Sequence, residues 1–514
     1  MIDYLNEFLP DLEEFKEKTR KFRDGELSVA EYKGFSGGYG SYAQRGAKSH
    51  MLRLRMAGGQ LDKERLNFIV DTCKKYSIDL IKMTTCQSFQ LHNLSSDDLC
   101  EMIESVWRAG LMTRGGGGDF PRNIMCSPLS GLQKGEFFDV LPYAKAAGEY
   151  LMSFIKGPKF PRKLKVCFSN SIANEPHATF RDLGFAARED GLFDVYCAGG
   201  LGNNPKLGVQ VATEVAPKKI LYYVKAMVET FLENGNYENR GRARTRYMQE
   251  TLGVDGLKEV FHKHLSKALE EGGLDIEVTI PEIKKEAEGT IEDSRVTEQK
   301  QDGLYAVYYQ PIGGALKPEK LAEIAETIAD MKDVELRITP EEGMYIVNCT
   351  AKEAKKVLAV TQDGANTEFE KSVACVGCTI CQVGVGDSQG ALSLCVEAVK
   401  NANIAKDALP QIHISGCPSS CSAHQIGKIA FRGAVKQTPE GPKPAFAVSY
   451  GGCATQGKEV LAEMNPKNTI VMTQLPEFLV ELGKMVEAQN TSYDAWIKDH
   501  TDEMDALIAK YVGE

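Results

Sequence analysis

Two stretches of the chain repeat one pattern of apolar and polar positions. The stretch from Met51 to Leu111 aligns without a gap on the stretch that begins at Ala306. In both copies a Gly-Gly pair precedes apolar residues spaced i, i+3, i+4, i+7, the stripe of an amphipathic helix. Each copy predicts the order strand, helix, strand, strand, helix, which is that of a ferredoxin-like unit. The strands of the first copy are predicted at 51–56, 78–83 and 88–93.

The segments that follow each unit are also similar. Arg122–Cys126 aligns at the same offset with the run that ends at Cys381, and Ala198–Leu201 resembles Tyr450–Cys453. Lys163–Val166 resembles the segment at Ile412. We therefore expect an α+β fold with a pseudo-twofold duplicated architecture, in which two ferredoxin-like half-domains are joined to two α/β domains.

A charged, polar stretch at 273–302 separates the halves and is the predicted linker. Before it we place an N-terminal extension with the first ferredoxin-like half-domain, and then the first α/β domain. After it come the second ferredoxin-like half-domain and the second α/β domain. The predicted limits are 1–112, 113–272, 303–368 and 369–514.

Composition narrows the class of protein. The chain has 514 residues, a formal net charge of −10 and the apolar content of an ordinary soluble protein. The negative charge argues against general nucleic-acid binding. The sequence shows no basic-apolar leader and no apolar run of the ~18 residues that a membrane helix needs. A cytoplasmic protein with no membrane partner is expected.

Five of the 14 cysteines stand close together in the last third of the chain. In a reducing compartment such spacings indicate a metal or iron–sulfur site rather than disulfides. An iron–sulfur cluster needs four thiolates, and a structural zinc site is the alternative. Spacing alone leaves one spare among the five. They are Cys375, Cys378, Cys381, Cys417 and Cys421.

The first half has basic residues where the second has cysteines. Arg53 and Arg55, like Lys163 and Lys165, alternate and so point from one face of a strand. A solvated strand face is the alternative explanation. Arg122 follows four glycines, which permit either close backbone approach or a hinge. If the halves face each other, a thiolate-held cofactor would lie opposite cations, an arrangement suited to reducing an anion.

These motifs resemble the signature of the sirohaem-dependent sulfite and nitrite reductases. The resemblance rests on Ala374-Cys375-x5-Cys381, on Gly416-Cys417-Pro418-x2-Cys421 and on Arg244-Thr245-Arg246-Tyr247. It implies that Cys375, Cys381, Cys417 and Cys421 hold a [4Fe–4S] cluster, that Cys421 also binds the sirohaem iron, and that Cys378 is the spare. The two α/β domains would then be the sirohaem and iron–sulfur domains.

The resemblance also implies roles for other residues. Arg53, Arg122, Lys163 and Lys165 match the residues that contact substrate. Cys86 stands where the family usually has an arginine that contacts the macrocycle, and we leave it out of the predicted site. The predicted cofactor-binding residues are Arg55, Gln90, His92, Gly199, Gly200, Arg244, Arg246, Gly451 and Gly452.

The implied reaction is the six-electron reduction of sulfite to sulfide, with nitrite to ammonia as the alternative. Lys163-x-Lys165 favours sulfite, because the nitrite-type members tend to have Lys-x-Asn. Gly38–Ala43 matches G-x-G-x-x-A, but no predicted strand precedes it and no clear helix follows, so it is predicted to be a loop. Electrons would come from a ferredoxin-like protein or a flavoprotein. The competing class is a non-catalytic iron–sulfur electron carrier.

Overall fold

A computed structural model describes residues 4–280, 282–287 and 289–513. Its first part is a helical N-terminal segment followed by a four-stranded antiparallel arrangement in the order β1-β2-β5-β4. The side chains of Asp62 and Ser95 cap the two helices of the repeat by accepting backbone N–H groups. The elements are α1 (Tyr4–Phe8), α2 (Asp11–Arg23), α3 (Val29–Ser36), β1 (Ser41–Ala43), β2 (His50–Leu54), β3 (Gln60–Leu61), α4 (Lys63–Lys75), β4 (Ile81–Met83), β5 (Phe89–Leu94) and α5 (Ser96–Arg108).

The next part is a mixed sheet in the order β10-β9-β8-β7-β6, packed against helices. Strands β6, β7 and β8 are parallel, and the other pairs are antiparallel. Its elements are β6 (Met125–Cys126), α6 (Leu141–Met152), β7 (Val166–Ser169), β8 (Leu183–Ala187), β9 (Phe193–Cys197), β10 (Val209–Val215), α7 (Ile220–Asn234), α8 (Met248–Thr251) and α9 (Gly253–Glu271).

The second ferredoxin-like unit repeats the first. Its edge strand β11 lies inside the stretch expected to be the linker, because Val296–Glu298 pairs with β12. The side chain of Thr350 caps the second helix, as Ser95 does in the first unit. The elements are β11 (Val296–Glu298), β12 (Leu304–Tyr309), β13 (Ala315–Leu316), α10 (Pro318–Ile328), β14 (Glu335–Ile338), β15 (Met344–Thr350) and α11 (Ala351–Val360).

The last part has the sheet order β16-β17-β18-β19-β20, with the same parallel and antiparallel pairs as β6 to β10. The elements are β16 (Val373–Ala374), α12 (Gly377–Ile380), α13 (Ser388–Asn401), β17 (Ile412–Ser415), β18 (Ile429–Thr438), β19 (Gly441–Tyr450), β20 (Thr469–Val471), α14 (Leu475–Glu487), α15 (Tyr493–Trp496) and α16 (Thr501–Gly513). The α+β class and the duplicated architecture are confirmed.

One predicted correspondence between the halves is wrong. Since β6 is the counterpart of β16, Cys126 corresponds to Ala374 and not to Cys381. The loop that leads into the α/β sheet is shorter in the second half, so the constant offset ends there.

The two ferredoxin-like units exchange strands. The short strand β3 of the first unit pairs with β14 of the second, and β13 pairs with β4. Leu61 and Leu316 are fully buried in these strands, and one continuous apolar core contains residues from both units. The pseudo-twofold axis therefore passes through a shared core rather than between separate domains. Across residues 4–280, 282–287 and 289–513, no helix is both long and apolar enough to cross a membrane.

Candidate functional site

A cavity of about 360 Å³ lies between the first ferredoxin-like sheet, the loop before β7 and the cysteine loops of the second half. It brings together the four predicted substrate contacts, two predicted cofactor contacts and the four predicted cluster ligands. These are Arg53, Arg122, Lys163, Lys165, Gln90, His92, Cys375, Cys381, Cys417 and Cys421. Residues more than three hundred positions apart in the sequence therefore line the same cavity.

The sheet register explains how Arg53 reaches the cavity. Gln90 on β5 lies opposite Arg53 on β2 and Lys82 on β4. With the Gln90 amide oriented to satisfy both neighbours, its oxygen accepts from Arg53 Nε at 3.1 Å and its nitrogen donates to His92 Nε2 at 3.2 Å. Burial, with Lys82 and Arg53 nearby, lowers the pKa of His92 to about 3, so the ring is neutral. Gln90 and His92 therefore orient Arg53.

The four-glycine loop holds both arginines. Arg53 Nη1 and Arg122 Nη1 donate to the carbonyl oxygen of Gly116 at 2.5 and 2.8 Å. A Cβ on Gly117 would come within 2.6 Å of the Tyr42 hydroxyl, so the close packing of this loop requires glycine there. The glycines thus serve close packing against Tyr42, and the predicted backbone approach to a cofactor stays a prediction.

Arg55 does not line the cavity. It is buried and donates to the carbonyl oxygens of Arg114, Pro121 and Arg122, so it clamps the two ends of the glycine loop. Burial and the neighbouring Arg122 lower the pKa of Arg55 to about 9. Arg55 therefore supports the loop from outside the cavity, and its predicted contact with a cofactor stays a prediction.

The two lysines precede β7 and are set beside Arg122 by backbone pairing. The Arg122 amide donates to the Leu164 carbonyl at 2.9 Å, between the lysines. Asp182 accepts from the Lys165 amide at 2.8 Å and from Arg244 Nη2 at 2.9 Å. Arg244 therefore lies behind the lysines rather than on the cavity wall. Burial, followed by Arg244 and Lys165, lowers the pKa of Lys163 well below its usual range.

The predicted glycines and Arg246 also lie off the cavity. Arg246 donates to the carbonyl oxygen of Asn203 and lies about 3.5 Å from where a Gly200 Cβ would stand. Cβ atoms on Gly199 and Gly452 would meet backbone atoms of Phe180 and Ile426 at 2.7 and 2.5 Å, so both glycines serve close packing. Gly451, with φ 83°, is exposed and contacts nothing through such an atom. These residues shape loops rather than the cavity surface.

The four cysteines come from two loops of the second half. Cys375 follows β16 and Cys381 ends α12, whereas Cys417 and Cys421 follow β17. Gly416 donates its amide to Cys375 Sγ at 3.1 Å. The Cys421 side chain is exposed, so its thiol is accessible to a metal and would lose its proton on binding one.

Cys378 is the cysteine that the cavity leaves out. It lies on α12 beside the backbone of Gly384, where it does not line the cavity. Within the part of the chain that the structure describes, no three His, Cys, Asp or Glu side chains converge closely enough for a single metal ion.

Sequence reasoning missed several residues of the cavity. Lys82 and Glu342, both 3% exposed, form an ion pair at 2.7 Å, and Glu342 accepts the amide of Ala374 beside the first cysteine. Tyr42 accepts the Gly118 amide; burial raises its pKa, but Arg122 and other donors outweigh this and lower it. None of these residues lies in a recognisable motif, and only the folded sheet brings them to the site.

The chemistry of the cavity fits a sirohaem beside a [4Fe–4S] cluster. Thiols and cationic side chains line the same cavity, and together they suit an anionic ring and an oxyanion substrate. The buried Arg122 Nε has no hydrogen-bond partner among the described residues, which leaves a donor for a bound group.

Comparisons with known proteins agree with this chemistry. Residues 117–269 match the family model described as "Nitrite and sulphite reductase 4Fe-4S domain". Residues 42–106 and 297–363 match the family model described as "Nitrite/Sulfite reductase ferredoxin-like half domain". The chain belongs to the nitrite and sulfite reductase family. It is thus an oxidoreductase of a family that carries sirohaem and a [4Fe–4S] cluster. The matched 4Fe-4S domain is the half with the basic residues, and the cysteines lie in its structural counterpart.

Individual relatives have low sequence identity to the chain, but the matched regions cover most of it. The chain is 25% identical to the ferredoxin–nitrite reductase of Arabidopsis thaliana, over 83% of this chain and 74% of the relative. It is 24% identical to sulfite reductase [ferredoxin] 1 of Mycolicibacterium paratuberculosis, over 79% and 74%. The fold is similar to that of Mycobacterium tuberculosis NirA, with a TM-score of 0.77, 22% identity and coverage of 90% and 89%.

Proposed function

We propose that the protein reduces sulfite to sulfide with six electrons from an external donor. One observation carries this proposal: Arg53, Arg122, Lys163 and Lys165 line the same cavity as the four cysteines. Cations that line the same cavity as thiol ligands can bind an oxyanion beside a redox centre. A simple electron carrier has no need for them.

The residues divide the work. Cys375, Cys381, Cys417 and Cys421 would hold the [4Fe–4S] cluster, with Cys421 shared with the sirohaem iron, and these groups supply the electrons when bound. Arg53 and Arg122 are fixed by the Gly116 carbonyl, so their remaining N–H groups are oriented before substrate arrives. Lys163 and Lys165 stabilise the oxyanion, and Lys163, whose pKa is lowered, can hand a proton to a departing oxygen.

Nitrite is the second candidate substrate. The chain is similar to ferredoxin–nitrite reductases from Arabidopsis thaliana and Zea mays. Two lysine N–H donor groups, at Lys163 and Lys165, suit the larger oxyanion, so sulfite remains our first choice.

The proposed electron donor is a ferredoxin-like protein or a flavoprotein, and the proposed location is the cytoplasm. The relatives named above are ferredoxin-dependent by name. Gly38–Ala43 forms a short turn and strand β1 in the structure, without the strand-turn-helix context of a dinucleotide site. Reducing equivalents would then arrive from another protein.

A visible spectrum with paired activity assays tests the proposal. Protein as isolated should show a Soret band, and with a reduced viologen dye it should produce sulfide from sulfite. If the protein reduces nitrite but not sulfite, nitrite rather than sulfite is its substrate. A colourless protein that contains zinc, or an iron–sulfur protein that reduces neither anion, would refute it.

A further inference from the structure

Cys86 lies in the turn between β4 and β5 with its sulfur at the cavity wall. Lys165 Nζ donates to Cys86 Sγ at 3.2 Å. The backbone on either side is fixed, because Asn123 Nδ2 donates to the carbonyl oxygens of Cys86 and Gln87 at 2.9 and 3.1 Å. These hydrogen bonds therefore hold the Cys86 thiol against Lys165, one of the two lysines proposed to bind substrate.

Cations dominate the surroundings of this sulfur. Lys165, Arg181 and Arg53 face it from three separate segments, with Arg122 and the Cys167 thiol also near. Burial raises the pKa of Cys86, but Lys165, Arg181 and Arg53 outweigh burial and bring it down to about 6. Burial likewise lowers the pKa of Lys165, so the hydrogen-bonded Cys86–Lys165 pair shares one proton and carries no net charge near neutral pH.

The other half of the molecule has an acidic side chain at the matching place. Glu341 occupies the position of Cys86 in the second ferredoxin-like unit, and the next residue in each copy, Gln87 or Glu342, has a positive φ. Both copies of the turn thus carry an ionisable acid next to a cavity. The turn accommodates such a group without distorting the fold.

We propose that Cys86 is a specificity-determining residue: its sulfur pairs with Lys165, removes one positive charge from the oxyanion site and makes the site favour singly charged anions. This inference rests on the proposed function. Nitrite and hydrogensulfite carry one negative charge, whereas sulfite carries two. With the Lys165 charge balanced, the remaining cations match a monoanion, and a second substrate charge gains less attraction.

Binding of two unreactive anions to the holoenzyme tests this without turnover. Calorimetric titration with nitrate and with sulfate compares a monoanion and a dianion of fixed charge. In Cys86→Ser the affinity for sulfate relative to nitrate should rise by about tenfold, the scale of one desolvated charge. Cys86→Asp should restore the preference of the original protein, because aspartate keeps a negative charge against Lys165. Cys100→Ser, which changes a buried cysteine remote from the cavity, is the control.

The pH dependence separates a charge effect from a packing effect. In the unmodified protein the relative affinity for sulfate should rise as pH falls from about 8 to about 5, through the titration of Cys86, and it should stay flatter in Cys86→Asp and in Cys86→Ser. An unchanged sulfate-to-nitrate ratio in Cys86→Ser would overturn the proposal, as would failure of Cys86→Asp to restore it. If neither anion binds the unmodified holoenzyme, the cavity has no oxyanion site for Cys86 to tune and this proposal fails, whereas the proposed function is tested separately by turnover of sulfite and nitrite.

Discussion

At the scale of the residue, charged side chains in this cavity are oriented by neighbours rather than by the motifs that contain them. Arg53 is held by Gln90 and Gly116, and Lys165 by Asp182 and Cys86. The motif residues could be predicted because their spacing is unusual in sequence. Cys86 could not be assigned a role in the same way, since its role depends on a lysine 79 positions away.

The cluster ligands give the first prediction. Cys378→Ser should retain the iron of the unmodified protein, because Cys378 does not line the cavity. Cys381→Ser should lose most of it, because Cys381 lies on the cavity beside the other three thiols. Iron and acid-labile sulfide analysis of both purified variants checks this, and loss of iron in Cys378→Ser would make that cysteine a ligand.

The lysine pair gives the second prediction. Lys165→Asn should lower kcat/KM for sulfite about tenfold more than for nitrite, because one charge-assisted donor to the larger oxyanion is lost. Paired assays with a reduced viologen dye measure both substrates. The exposed Lys159, changed to Asn, is the control and should leave both rates unaltered. Equal losses in Lys165→Asn would remove the reason for preferring sulfite.

At the scale of the element, the exchanged strands are the feature that holds the halves together. Each is two residues long, yet each completes the other unit's sheet with a fully buried leucine. The helix stripes and strand order of both units could be predicted from periodicity. The exchange could not, because two-residue strands carry no periodic signal and their partners lie in the other half.

The third prediction concerns these leucines. Leu61→Ala and Leu316→Ala should each lower the free energy of unfolding by about 3 kcal/mol, through lost burial and the cavity left behind. Chemical denaturation followed by circular dichroism measures this. Leu207→Ala, at a side chain 40% exposed, should cost much less. If Leu61→Ala is no more harmful than Leu207→Ala, the exchanged strand contributes little to stability.

At the scale of the whole molecule, the duplicated fold contains a second cavity, of about 320 Å³. In the loop after β7, Glu175 occupies the position that Cys421 has after β17, and Glu341 occupies the position of Cys86. The duplicated fold therefore encloses two related spaces, of which one is lined by thiols and cations and the other by carboxyl groups.

The fourth prediction follows from Glu175. Burial and Glu341 raise its pKa to about 8, so the folded protein holds this proton where the unfolded chain has lost it. A raised carboxyl pKa contributes stability that is complete below the unfolded value and is lost as pH rises towards about 8. Glu175→Gln should therefore gain stability relative to the unmodified protein between about pH 5 and pH 8. Denaturant titrations at several pH values check this, and a difference that does not change with pH would contradict it.

Apolar periodicity and residue spacing were enough to predict the elements, their duplication and the chemistry of the site. Apolar periodicity specifies which face of each helix is buried, and the Cys and Arg/Lys spacings limit which ligands can bind. Only the tertiary structure decided which side chains meet. It set Arg55 to clamp a loop, left Cys378 outside the cavity and placed Cys86 against Lys165. These contacts depend on how segments far apart in the sequence pack together. Local sequence patterns do not show which distant segments will be in contact.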